Sequence, residues 1–96
     1  MSPPRISEVS FTTAAPDQQR RGLLGFLAFL LDGRLKVDGV TLRRTAAGEL
    51  ALSWPSRRDR RGHDHPILRP ISDRARRELE REVFDALRAA HGGVRP

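Results

Sequence analysis

A cluster of four arginines occupies the middle of the chain, at Arg57, Arg58, Arg60 and Arg61. Arginine presents a planar fork of N–H donors that matches the oxygens of a phosphate group. Ser56, just before the cluster, adds a hydroxyl donor, and such a group of residues can neutralise several phosphates of a nucleic acid. The pattern predicts a nucleic-acid-binding segment, and the alternative interpretation is a charged loop that only faces water.

A second set of arginines recurs at steps of three, four and seven residues, at Arg74, Arg77, Arg81 and Arg88. On a helix this spacing forms one ridge, which could enter a major groove or follow a phosphate strand. The alternative is an exposed face with ion pairs between residues four apart, since Arg74/Glu78, Arg76/Glu80 and Arg81/Asp85 have that spacing. We expect Arg74, Arg77 and Arg81 to assist the cluster at residues 57–61.

Few residues are suited to metal binding or catalysis. His63 and His65 have a spacing that could bind a metal ion, but no third and fourth ligand is evident. Ser56, Asp64 and His65 are the residue types of a catalytic triad, yet nothing in the sequence fixes their geometry. We therefore predict a protein that is not an enzyme, with no metal, no cofactor and no small-molecule substrate.

Aromatic residues give little support for stacking on nucleic-acid bases. Trp54 alternates with Leu50 and Leu52, which places it on the core face of a strand. The chain has no tyrosine, and its four phenylalanines stand mostly at expected core positions. The sequence thus predicts no aromatic platform of the kind that single-strand-binding sheets use.

The overall charge favours a polyanionic partner. The chain has 96 residues, a formal charge of +6 and a pI near 11.5, and half of the excess charge lies in residues 56–69. Seventeen of the 18 cations are arginine, a bias that a GC-rich genome would also produce. The absence of cysteine excludes disulfides and thiolate metal sites and fits a cytoplasmic protein.

No segment indicates a membrane protein. The first five residues include two prolines and no apolar stretch of a signal peptide. The apolar run at Gly22–Leu31 is about half of the ~20 residues that a membrane-spanning helix needs. Turn signals bound it on both sides, so we interpret it as a buried strand.

The pattern along the chain predicts an α+β fold, an antiparallel β-meander of about four to five strands followed by one C-terminal α-helix packed on the sheet. The length predicts a single domain, residues 1–96, with flexible ends at 1–4 and 92–96. Asp32-Gly33 is a strong hairpin signal. The predicted strands lie at 5–12, with a bulge, at 22–31, at 34–45 and at 49–54, and a turn is predicted at 14–21.

The C-terminal third has helical periodicity. Ser72 is a candidate N-cap, Asp73 places a negative charge in the first turn, and Gly92-Gly93 is a natural stop. The apolar stripe of this helix consists of Ala75, Leu79, Val83, Ala86, Leu87 and Ala90, and Phe84 broadens it.

The strand at Gly22–Leu31 is apolar on both of its faces. One helix covers only one face of so small a sheet, so a second copy of the chain is the simplest cover for the other face. The sequence therefore predicts a homodimer, and the alternative cover is the N-terminal segment.

Trp54-Pro55-Ser56-Arg57-Arg58, followed by His65-Pro66-Ile67 and a helix, resembles the signature of the SpoVG family (stage V sporulation protein G, or septation protein). Ile6–Phe11 is similar to the family's opening strand, with Glu8 where an aspartate is usual. Residues 23–32 stand at its second strand and Asp38–Leu42 in its third. The resemblance covers about residues 5–90. It implies a small α+β homodimer, with the sheet extended across the dimer, that binds DNA, and in some members RNA, as a regulator.

The sequence departs from the family pattern in three respects. The segment between Ser56 and His65 is about four residues shorter, Arg57 replaces a lysine, and the frequent acidic tail is missing. The shorter segment changes the geometry of any contact that it makes. The alternative function is a protein-interaction adaptor whose basic loop docks on an acidic partner.

Overall fold

The computed structural model describes residues 3–91, so the flexible ends predicted at 1–4 and 92–96 fall mostly outside it. The fold is α+β, as predicted. Four strands form an antiparallel sheet in the order β1-β2-β3-β4, and β5 pairs with β6 in a separate two-stranded sheet. The elements are β1 (Ile6–Thr13), α1 (Pro16–Arg20), β2 (Leu23–Leu31), β3 (Leu35–Arg44), β4 (Leu50–Ser53), β5 (Ser56–Arg58), β6 (Asp64–Pro66) and α2 (Asp73–His91).

The turn between β2 and β3 follows from its two residues. Asp32 and Gly33 both have a positive φ, 54° and 66°, which a type I′ hairpin turn requires and which aspartate and glycine tolerate best. The Arg34 N–H donates to the Leu31 carbonyl at 3.1 Å. The Asp32 carboxylate also accepts the Arg5 N–H at 2.9 Å, which ties the start of β1 to this turn.

The bulge predicted in β1 is confirmed. The register against β2 shifts between Ser7 and Ser10, and Glu8 within this interval has φ 48°. The extra residue returns Phe11 to the core face opposite Leu27. Without the extra residue, the alternation would point the apolar side chains at one end of β1 away from the core.

Two segments are more ordered than predicted. The turn at 14–21 contains the short helix α1, which starts with Pro16 and has the Gln18 side chain accepting the Ala15 N–H at 3.2 Å. The charged loop after Pro55 contains the hairpin β5–β6. Strands of three residues carry no apolar alternation, which is why the sequence pattern did not indicate them.

Helix α2 packs on one face of the four-stranded sheet, as predicted. Val83 and Leu87 are buried in the same cluster as Phe29, Val40 and Leu42. The Ser72 Oγ accepts the Ala75 N–H at 3.1 Å, which confirms the N-cap. Ala90, placed on the apolar stripe by its spacing, is exposed because it lies near the end of α2, beyond the buried Leu87.

A buried carboxylate joins α2 to the edge strand β4. The Leu52 N–H donates to Glu80 Oε2 at 3.2 Å, and Arg76 Nη1 lies 3.0 Å from Glu80 Oε1. Only 11% of the Glu80 side chain is exposed. This contact satisfies a backbone N–H on the free edge of β4 that could otherwise pair with a strand of another chain.

The opposite face of the sheet, called here the outer face, is not covered by α2. On β2 it carries Leu23, Phe26, Ala28 and Leu30. The prediction that both faces of this strand are apolar is correct, but Phe26 is 42% exposed, so residues 3–91 leave part of the second face open to solvent. Within residues 3–91, neither helix combines the length and the hydropathy needed to cross a bilayer.

Candidate nucleic-acid interface

The four clustered arginines lie on the hairpin β5–β6, called here the Arg-rich hairpin (residues 56–66). Arg57 faces His65 across the two strands, and Arg58 faces Asp64. The Asp59 N–H donates to the His63 carbonyl at 2.9 Å, and the Gly62 N–H donates to the Asp59 carbonyl at 3.1 Å. Gly62 has φ 82°, a conformation that glycine adopts without steric strain.

Asp59 organises the tip of this hairpin. Its Oδ1 accepts the backbone N–H groups of Arg61 and His63, each at 2.9 Å. Its Oδ2 lies 2.7 Å from His65 Nε2 and 3.8 Å from His63 Nδ1. The hydrogen bond with His65, followed by the one with the His63 backbone, lowers the pKa of Asp59.

The hairpin arginines are open to solvent. Arg58 Nε pairs with Asp64 Oδ1 at 3.3 Å, with both side chains more than half exposed. The remaining three arginines form no ion pair with any residue in 3–91. Every member of the predicted set is exposed here, namely Ser56, Arg57, Arg58, Arg60 and Arg61. The Asp59 carboxylate is occupied by backbone N–H groups and imidazoles, and therefore leaves the neighbouring guanidinium groups available.

The arginines of α2 are mostly paired. Arg74 Nε lies 3.3 Å from Glu78 Oε1, and Arg77 Nη2 lies 2.9 Å from Asp73 Oδ2. Asp73 also binds Arg76, whose hydrogen bond and charge are the main causes that lower the Asp73 pKa. The positive charges of this helix are therefore largely neutralised by carboxylates of the same helix.

One predicted ion pair of α2 is wrong. Asp85 pairs with Arg88, not with Arg81. The pairs Arg74/Glu78 and Arg76/Glu80 are confirmed. Since a carboxylate can reach a cation three or four residues away, sequence spacing alone does not choose between them. Arg81 is exposed and forms no ion pair among the described residues.

The structure brings together the hairpin residues but does not join them to the helix. In the described part of the chain, no hydrogen bond or ion pair links residues 56–66 to α2. Arg74 and Arg81 instead line a shallow surface cavity with Ile71 and Pro3. The two groups of arginines are separate surfaces, and a ligand must span both to use them together.

The histidines are engaged within the hairpin. Both imidazoles face Asp59, while Asp64 pairs with Arg58, so Ser56, Asp64 and His65 do not form a hydrogen-bonded triad. Among residues 3–91, no group of three or more histidine, cysteine or acidic side chains has an arrangement that could hold a metal ion.

Sequence reasoning missed two residues of functional interest. Asp59 looked like a charge within an Arg-rich loop, yet it fixes the loop's shape. Phe26 looked like a core residue, yet its ring is 42% exposed on the outer face. The signal for Phe26 was available in the alternation of β2, which separates it from the buried Leu27 and Phe29.

Comparison with protein-family models finds no match for this sequence, and a search of curated proteins also finds none. The SpoVG resemblance therefore remains a hypothesis that rests on the residues that suggest it.

Proposed function

We propose that this chain is a non-enzymatic, homodimeric regulatory protein of the SpoVG type that binds DNA or RNA through the Arg-rich hairpin. The observation that carries the proposal is the exposure of four arginines on a hairpin whose central carboxylate is already bound by its own backbone and His65. Arg57, Arg60 and Arg61 have no ion-pair partner within residues 3–91, and Arg58 has only a solvent-exposed pair with Asp64. Such arginines are available to phosphates, whose counterions are released on binding.

The likeness to the SpoVG signature supports the same segment, because the residues that carry the likeness lie on the Arg-rich hairpin. Ser56, Arg57 and Arg58 form strand β5, and His65 and Pro66 belong to β6. The two halves of the signature thus pair with each other across one hairpin. The departure in loop length falls at the tip of this hairpin, at residues 59–63.

The direct test is the double variant Arg57→Ala/Arg58→Ala, assayed on short random-sequence duplexes by fluorescence anisotropy. We expect weaker binding to every sequence and a log–log salt slope reduced by about two, since each lost phosphate contact removes about 0.9. The matched control is Arg20→Ala/Arg21→Ala, which removes the same charge from two exposed residues at the end of α1.

Equal losses in both double variants would mean that net charge, rather than the hairpin, sets the affinity. A wild-type protein that does not bind random DNA would favour the adaptor alternative, since an adaptor for an acidic protein need not bind nucleic acid. Sedimentation velocity at micromolar concentration tests the homodimer, and a monomer would contradict it.

A further inference from the structure

The outer face of the sheet presents an aromatic ring in a row of hydroxyl groups. Antiparallel pairing places Thr12 opposite Phe26, Phe26 opposite Thr41, and Thr41 opposite Ser53. Directly opposite residues point to the same face of a sheet. These four residues, called here the Phe26 row, cross all four strands with one ring and three hydroxyl groups.

The ring is open although it lies on an interior strand. Phe26 is 42% exposed, whereas its neighbours Leu27 and Phe29 are almost fully buried on the other face. Thr12 is exposed, and Thr41 and Ser53 are half-buried. The side chains that flank the ring are therefore small and leave the ring accessible.

A cation lies beside the row. Arg43 is two residues beyond Thr41 on β3, so its side chain is on the same outer face, and it is exposed. It lies diagonally across from Phe26, a relation that spans roughly 7–8 Å between strands and is within reach of a long side chain. Lys36 lies towards the opposite end of β3, where Asp38 offsets its charge. The positive charge of this surface is therefore concentrated at Arg43.

We propose that the outer face binds single-stranded nucleic acid, with one base stacked on Phe26, hydroxyl groups of the Phe26 row at the base edge, and Arg43 on the backbone phosphate. A ring next to donors and a cation is the chemistry of single-strand recognition, where stacking supplies affinity for any base. The exposed Phe26 ring thus revises the expectation from the sequence that aromatic residues give little support for stacking. This inference rests on the proposed function and adds to it the strandedness of the ligand and a second binding surface.

A second copy of the chain fits this face less well, so the proposed homodimer must form at another surface, such as the sheet edge that the SpoVG resemblance implies. The centre of a stable protein interface is depleted in charge and serine and extends over about 800 Å² on each partner. The outer face has four apolar residues on β2, namely Leu23, Phe26, Ala28 and Leu30, and Ala51 on β4. Most of the other positions on this face are polar or charged, namely Ser7, Ser10, Thr12, Lys36, Thr41, Arg43 and Ser53.

The test compares Phe26→Ala, Phe26→Leu and Phe26→Tyr in fluorescence anisotropy with oligo-dT, oligo-rU and a random duplex. We expect Phe26→Ala and Phe26→Leu to weaken single-strand binding about 5- to 100-fold, with Phe26→Tyr close to wild type, because stacking requires a ring. Duplex binding should be unchanged, since the hairpin carries it. The matched control is Leu35→Ala, which removes another exposed apolar side chain, 62% exposed at the β2–β3 turn.

Three other outcomes would overturn the inference. Unchanged single-strand binding in Phe26→Ala, with duplex binding intact, would overturn the inference and leave the proposed function standing. A dimer that dissociates in Phe26→Ala but not in Phe26→Leu, as judged by sedimentation velocity, would assign the face to a protein interface and also overturn it. A wild-type protein that binds neither single strands nor duplex would overturn the proposed function, and this inference with it. Thermal unfolding of each variant confirms that the compared proteins are folded.

Discussion

Both the Arg-rich hairpin and helix α2 contain an aspartate whose pKa lies below its usual value, but different groups lower it. In the hairpin, Asp59 is bound by His65 and by the backbone N–H groups of His63 and Arg61. In the helix, Asp73 is bound by the guanidinium groups of Arg76 and Arg77. The hairpin therefore keeps Arg57, Arg60 and Arg61 available, whereas the helix uses most of its arginines to complement its own carboxylates.

A count of arginines therefore does not identify a phosphate-binding surface. Helix α2 contains as many cations as anions, and its charges mainly stabilise the helix and its attachment to β4. The hairpin has four arginines against two aspartates, and one of those aspartates is occupied by its own backbone. The environment of each carboxylate decides which arginines are free.

The largest expected effect separates the two surfaces directly. We expect Arg57→Ala/Arg58→Ala/Arg60→Ala to reduce duplex affinity about 100-fold at low salt, because three phosphate contacts and their counterion release are lost. The helix triple Arg74→Ala/Arg77→Ala/Arg81→Ala removes the same charge and should reduce it only a few-fold. Anisotropy titrations over a range of salt concentrations measure both, and equal losses would remove the distinction between hairpin and helix.

The structural role of the helix charges is tested at Glu80. Replacing Glu80 with alanine leaves the Leu52 N–H without its acceptor and removes one of the two carboxylates that bind Arg76. We expect the free energy of unfolding to fall by about 1–3 kcal/mol. The control Glu78→Ala breaks a solvent-exposed pair with Arg74 and should change it by less than about 1 kcal/mol. Urea denaturation measures both, and similar values would show that the contact with β4 is not what stabilises the helix.

A smaller effect should appear when a helix arginine is released. In Asp73→Asn the carboxylate that binds Arg76 and Arg77 loses its charge, so we expect duplex affinity to rise about two- to five-fold as Arg77 becomes available. The control is Asp85→Asn, which releases Arg88 near the other end of α2. A lower affinity in Asp73→Asn would indicate that the first turn of α2 must keep this carboxylate for binding.

The smallest effect is local and depends on pH. The pKa of Asp59 in the folded chain lies below its usual value of 3.8. This carboxylate therefore stabilises the hairpin above pH 3.8, and the stabilisation is lost as the pH falls through the folded-state pKa. We expect the amide resonances of Arg61 and His63 to titrate together below pH 3.8 in NMR spectra. Asp59→Asn should abolish this titration, and a midpoint above 3.8 in the wild type would contradict the assigned contacts.

Local signals in the sequence were sufficient for much of the fold. Asp32 and Gly33 tolerate positive φ, so they predict their turn without any other contact. Ser72 caps a helix through an N–H only three residues away, and the step of three and four residues places Val83 and Leu87 on one face. The Arg-rich cluster at residues 57–61 was likewise evident as a candidate site, since its members are adjacent in the chain.

The tertiary structure decided what depends on partners distant in sequence. The contact of Glu80 with Leu52 spans 28 residues, and the Phe26 row exists only because the registers of three strand pairs coincide. The exposure of Phe26 also depends on which face α2 covers. Composition and spacing determined the α+β class and the Arg-rich cluster, because these arise from neighbours in the chain. Which arginines are free and which ring is exposed were decided by packing, because long-range contacts choose the face and the partner of each side chain.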